Sequence, residues 1–108
     1  MTIEPDVKAI ATHFGLDPAL IQAVVRAEGD IIRAVRCSVP SVTTREQALD
    51  VLCRSAVHAM SDFVRAHSPN DFVHAWAKRW APEGATNDPM NLNANWPRNV
   101  IRLWGVDV

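Results

Sequence analysis

The chain has 108 residues, of which 48% are hydrophobic and 21% charged, and its formal net charge is −1; this balance excludes a disordered polyelectrolyte and fits one globular domain over residues 1–108. Without a basic surplus, no nucleic-acid partner is expected, although arginines at Arg26, Arg33, Arg36, Arg45 and Arg54 form either a local basic face or ordinary solvated helix surface. No apolar run reaches the ~18 residues of a membrane span, and the opening Met-Thr-Ile-Glu-Pro-Asp lacks the basic and apolar stretches of a signal peptide, so synthesis in the cytoplasm is expected.

In chain order, Val7, Ile10, Ala11 and Phe14 recur at helical spacing from about Pro5, and Gly15 supplies a stop. Asp17-Pro18 then opens a second helix, with Asp as N-cap and Pro in the first turn; it carries Leu20, Ile21, Val24 and Val25 and ends near Glu28-Gly29. Ile31 to Arg36 is read as one or two further helical turns, and Cys37 to Thr43 as extended loop. Thr44 with Gln47 forms a capping box for the longest helix, expected over residues 44–67 at the centre of the fold. Its period runs through Ala48, Leu49, Leu52, Cys53, Ala56, Val57, Met60, Phe63 and Val64. Ser68-Pro69 caps the next helix, with Phe72, Val73, Trp76 and Trp80. Residues 81–95 form a polar loop, and Asn95 caps a last helix with Pro97 in its first turn, ending at Trp104 before Gly105. The expected fold is all-α, with five or six helices and no strand.

Three features carry chemistry. Glu28 follows Ile21, Val24 and Val25 at spacings of seven, four and three, so its carboxyl continues an apolar stripe. A carboxyl at such a rim loses solvation, which favours the proton-bearing form that a general acid for glycosidic cleavage needs. The plainer alternative is a helix-terminal residue facing water or an arginine. The second feature is the stretch from Trp80 to Trp96, with Glu83, Asn87, Asp88, Asn91, Asn93 and Asn95 between two indoles. Amides suit hydroxyl and N-acetyl groups and indole faces stack on sugar rings, while the same residues also make turns, caps and core. The third is the pair Cys37 and Cys53, which either closes one disulfide or remains two thiols; it matches no zinc or redox motif. His13, His58, His67 and His74 fall on separate helices without ligand spacing, so no metal is expected.

The stretch Phe14-Gly15-Leu16-Asp17-Pro18-Ala19-Leu20 through Val25-Arg26-Ala27-Glu28-Gly29 resembles the first catalytic motif of lytic transglycosylases, with Glu28 at the position of the catalytic glutamate. The later block, Arg79-Trp80-Ala81-Pro82 to Asn87-Asp88-Pro89 and on to Asn95-Trp96-Pro97-Arg98-Asn99-Val100, is similar to a pattern in bacteriophage and glucosaminidase-type members. The two blocks and the intervening core helix keep the family order. The Gly-Leu-Met-Gln segment of typical members is absent, and residues 30–43 differ from their usual run.

The resemblance implies a lysozyme-like helical domain of phage or prophage origin. It would cleave the β-1,4 bond between N-acetylmuramic acid and N-acetylglucosamine in peptidoglycan, at the cell wall or as part of a virion, with no cofactor. Glu28 is the expected acid. Trp80, Glu83, Asn87, Asp88, Asn91, Asn93, Asn95 and Trp96 are the expected substrate-binding residues, with Glu83 or Asp88 as a second carboxylate if water is the attacking group. Two other readings exist. One is a virion structural component with the same fold and no turnover, held by a virion or host protein. The other is a helical interaction module, because His13 to Val35 also resembles the end of a ubiquitin-associated-type domain, with Glu28 then on open surface.

Overall fold

A computed structural model describes residues 2–62, 69–83, 85, 88 and 90–105, without the side chains of residues 61, 62 and 69–71. Among these residues the fold is all-α: α1 (Pro5–His13), α2 (Pro18–Glu28), α3 (Ile31–Arg36), α4 (Arg45–Asp62), α5 (Pro69–Trp80) and α6 (Trp96–Trp104), with a 3-10 helix at Leu92–Asn95. None of these helices is long and apolar enough to cross a membrane. The radius of gyration is 13.1 Å, about that of one folded domain of this length.

The helix ends follow from local chemistry. Gly15 and Gly29 take φ of +70° and +75°, a left-handed excursion that stops α1 and α2 and that glycine tolerates best. The Asp17 side chain accepts from Ala19 N–H at 2.9 Å and starts α2. Asp30 does the same for α3 through Arg33 N–H at 3.1 Å. The capping box is formed on both sides: Gln47 N–H donates to Thr44 Oγ1 at 3.2 Å, and Gln47 Oε1 accepts from the N–H groups of Thr43 and Thr44 at 2.8 and 3.2 Å. The far end of α4 as read from the sequence, His67, and the Ser68 cap lie outside the described residues.

One apolar cluster unites the elements. α4 buries Ala48, Leu49, Leu52, Cys53, Ala56 and Ala59 and packs on α1, α3 and α5. α2 buries every residue from Leu20 to Val25 and packs on α1, α3 and α6. Such continuous burial demands a partner for the one polar member of the run, Gln22, which is 2% exposed. The N-terminal segment supplies it. Gln22 Oε1 accepts from Glu4 N–H and Gln22 Nε2 donates to Glu4 Oε2, both at 2.9 Å. Arg45, in the first turn of α4, reaches Glu4 at 2.6 Å and Asp6 at 2.7 Å, so one polar knot ties α1, α2 and α4.

The Gln22 amide and then the Arg45 guanidinium hold the Glu4 carboxyl below its ordinary value of 4.5. The stabilisation from this depressed carboxyl is complete above about pH 4.5 and is lost as pH falls through its lower folded value. Gln22→Met, which keeps the volume but leaves Glu4 N–H without its acceptor, is expected to lower unfolding free energy by about 1–3 kcal/mol at neutral pH. In urea titrations the gap between variant and wild type should narrow below pH 4.5. A gap constant down to acid would remove Glu4 from the account.

Candidate active site

Glu28 is the last residue of α2, because Gly29 N–H closes the helix onto Val25 C=O and the chain then turns away. Its side chain is half-buried. Two indoles converge on one of its oxygens: Trp80 Nε1 donates to Glu28 Oε1 at 2.7 Å, and Trp96 Nε1 donates to the same oxygen at 2.8 Å. The donors come from the end of α5 and the start of α6, so the carboxyl is the point where three helix termini meet.

Aromatic packing sets the direction of the second indole. Trp96, 7% exposed, meets the fully buried Trp76 edge to face, with centroids 5.5 Å apart at 82°, a geometry favoured by the ring quadrupoles. Trp76 leans on Phe72 at 5.8 Å and donates from Nε1 to Ser55 Oγ at 3.0 Å. Ser55 Oγ in turn donates to Leu52 C=O at 2.7 Å. With its body fixed in this stack, Trp96 is a core residue and a donor to Glu28; the sugar-stacking role expected for its face has little exposed ring to support it. Trp80 is half-buried and lines the cavity beside Glu28.

That cavity has a volume of about 530 Å³, inside the range of small-molecule sites, roughly 300–1,000 Å³. Its walls come from α3 and the loop after it, one side of α4, the end of α5 and the segment after Trp80. The polar side chains on it are Glu28, Ser38, Ser55, Arg79 and Asn93, with Trp80 and the Cys37 thiol. Among the described lining residues Glu28 is the only carboxylate.

The other expected site residues divide. Asp88 has both oxygens engaged by backbone: Oδ1 accepts from Leu92 N–H at 2.9 Å and Oδ2 from Asn93 N–H at 2.7 Å. It therefore caps the 3-10 helix, which leads straight into α6, and Asn95 makes no side-chain cap. Asn93 lines the cavity while its Nδ2 donates to Pro82 C=O at 2.9 Å, lacing the loop to its own start. Glu83 is exposed and lies off the cavity wall, in an adjoining recess with His74, Lys78 and Pro97 that meets the cavity at Ala81, Pro82 and Asn93. Asn91, at φ +55°, and Asn95 are exposed and absent from the cavity wall. Asn87 lies outside the described residues.

Ser38, Ser55 and Arg79 were not singled out as site residues from the sequence. Arg79 stands beside Trp80 in the block that carries the resemblance, so it had a signal. Ser38 and Ser55 had none, being a loop serine and a polar position in a helical period.

No family model, curated protein or solved structure matches the chain.

Both cysteines are free thiols, Cys37 exposed and Cys53 buried. Burial, with a smaller contribution from Asp50, pushes the Cys53 thiol up to about 12, and a thiol that stays protonated is a poor nucleophile. A chromogenic disulfide reagent at about pH 8 should therefore titrate Cys37 at once and Cys53 only after denaturation. Two prompt equivalents from the native chain would contradict the burial of Cys53.

Proposed function

We propose that the chain is a peptidoglycan-cleaving glycosidase of the lytic-transglycosylase type, with Glu28 as its general acid. The observation that carries the reading is a single half-buried carboxyl, held by two indoles in the wall of a ligand-sized cavity. Glycoside hydrolysis by water ordinarily uses two carboxylates on opposite sides of the scissile bond. The two candidates for a second one fit poorly, since Asp88 is bound to backbone amides and Glu83 faces a different recess. This favours the one-acid route.

In that route Glu28 gives its proton to the glycosidic oxygen, and the bond from that oxygen to the anomeric carbon breaks with its electron pair leaving on the oxygen. A hydroxyl of the same muramic sugar closes onto the anomeric carbon and returns its proton to Glu28. The products are a free hydroxyl on one strand end and an anhydro ring on the other. No water is consumed, the acid is restored, and no metal or organic cofactor is needed.

The interaction-module reading places Glu28 on open surface and treats the remainder as an unrelated extension. The two indole donors and the packing of α6 on α2 speak against both parts of it. The inactive structural reading draws on the same clamp, because Glu28 would then serve only to satisfy two indoles.

Glu28→Gln separates the two, since the amide oxygen can still accept from both indoles while the acidic proton is gone. It is expected to keep the helical content and midpoint of the wild type and to lose about 10²–10⁴-fold in release of fragments from purified cell walls. Mass analysis should find anhydro ends with the wild type. Undiminished cleavage by Glu28→Gln, or reducing ends in place of anhydro ends, would overturn the acid role or the one-acid route respectively. Glu28→Leu should also unfold more easily, by about 1–3 kcal/mol for each indole N–H left without an acceptor.

A further inference from the structure

The clamp on Glu28 is asymmetric. A carboxylate oxygen offers two lone pairs, and two N–H groups at 2.7 and 2.8 Å engage both of them on Oε1. Indole nitrogens donate and never accept, so a proton cannot sit on Oε1 without displacing Trp80 or Trp96. Among the described residues, the hydrogen bonds Glu28 receives fall on Oε1 and none on Oε2.

We infer that Trp80 and Trp96 are positioning residues that divide the work between the two oxygens, Oε1 being a fixed acceptor and Oε2 the oxygen that carries and delivers the proton. The inference rests on the acid role proposed for Glu28 and adds to it how the acid is aimed. A free carboxyl rotates about its terminal torsion and presents either oxygen; here that rotation would cost two hydrogen bonds. The aim is set by tertiary structure. Trp80 ends α5 and Trp96 begins α6, and the segment between them is laced by Asp88 to Leu92 and Asn93 and by Asn93 to Pro82. The edge-to-face contact with Trp76 then fixes the Trp96 ring itself.

The test replaces one indole at a time by benzothienylalanine, which keeps the shape of tryptophan and puts sulfur where the N–H was. Either replacement, at Trp80 or at Trp96, should lower kcat on purified glycan strands by about a hundredfold, the cost of a misaimed group. KM should stay within about twofold, because an interaction that only orients the acid does not bind substrate. The same replacement at Trp104, whose N–H serves Asp17 at 3.0 Å, should leave kcat unchanged.

Independently of turnover, nitrogen–proton spectra of the four indoles report the clamp. In Glu28→Gln the Trp80 and Trp96 signals should move together while those of Trp76 and Trp104 stay. Full kcat with either replacement, or a loss confined to KM, would overturn the positioning role even if Glu28→Gln abolishes cleavage. Indole signals indifferent to Glu28→Gln would overturn the clamp. A wild type that cleaves no glycan while its two indole signals respond would leave a structural tie, and the positioning role would fall together with the glycosidase reading.

Discussion

The contact on which the rest of the architecture turns is one carboxylate oxygen accepting from two indoles contributed by different helices. Each partner needs the other. An indole N–H withdrawn from water without an acceptor carries a desolvation cost, and Trp96 is almost fully withdrawn. A half-buried carboxylate needs donors for the same reason. Nothing about α2 alone favours an acid at its last position, since the negative end of the helix dipole lies there and opposes it by roughly 0.3–1 kcal/mol. A basic residue would suit that terminus better. The local electrostatics of α2 therefore do not explain the choice of Glu28, whereas the need of two indoles for an acceptor does.

Glu28 sits at the end of α2, and α2 is tied by polar contacts at its start, middle and end. Asp17 gives one oxygen to Ala19 N–H and the other to Trp104 Nε1, fastening the beginning of α2 to the end of α6. Gln22 binds the segment before α1, which Arg45 connects to α4. Glu28 binds the beginning of α6 and the end of α5. Because α2 is tied to α6 at both termini, the two helices are fixed in register as well as in contact. Between these ties Leu20, Ile21, Ala23, Val24 and Val25 are buried while Arg26 faces solvent, so the helix cannot slide or rotate without breaking a satisfied polar group or exposing this apolar run. This is the rigidity that a precisely directed side chain requires.

Most of this frame was legible in the sequence because it is written in local rules. Gly15, Gly29 and Gly105 stop helices by adopting positive φ, Asp17 and the Thr44–Gln47 pair start them, and the apolar period marks the buried faces. Local rules failed where the partner is distant. Gln22 sits in an apolar run with nothing nearby to show that it is buried, since the groups satisfying it belong to Glu4. The 3-10 helix at Leu92–Asn95 was hidden inside an asparagine-rich stretch that reads as loop. Its cap, Asp88, looked like a spare carboxylate because the sequence does not show that both its oxygens face backbone amides. The two cysteines admitted a bridge by spacing, yet one is exposed and the other in the core. The candidate site was legible in outline: Glu28 and the tryptophans flanking the polar stretch were singled out, and the structure brings them together. Their relation was not, because an indole's N–H direction is fixed by what its ring packs against, here Trp76 for Trp96.

Engagement of the loop's polar groups narrows what an incoming ligand could meet. Four of the amides and acids between Trp80 and Trp96 are now placed by their own needs or by solvent: Asp88 and Asn93 stitch the segment together, and Asn91 and Asn95 face outward. Ser55, on the opposite wall, already donates to Leu52 and accepts from Trp76. The stretch that resembles a sugar-binding loop in composition thus works first as a frame, holding Trp80 and Trp96 at the separation that lets both reach one oxygen. Recognition would then depend less on a row of amides than on the shape of the cavity and on a few groups at its wall. A site built this way would be specific through rigidity. On the proposed function, selectivity would come from what fits beside a carboxyl that cannot turn, and loss of the Asp88 cap on the 3-10 helix that leads into Trp96 would reach Glu28 through that indole.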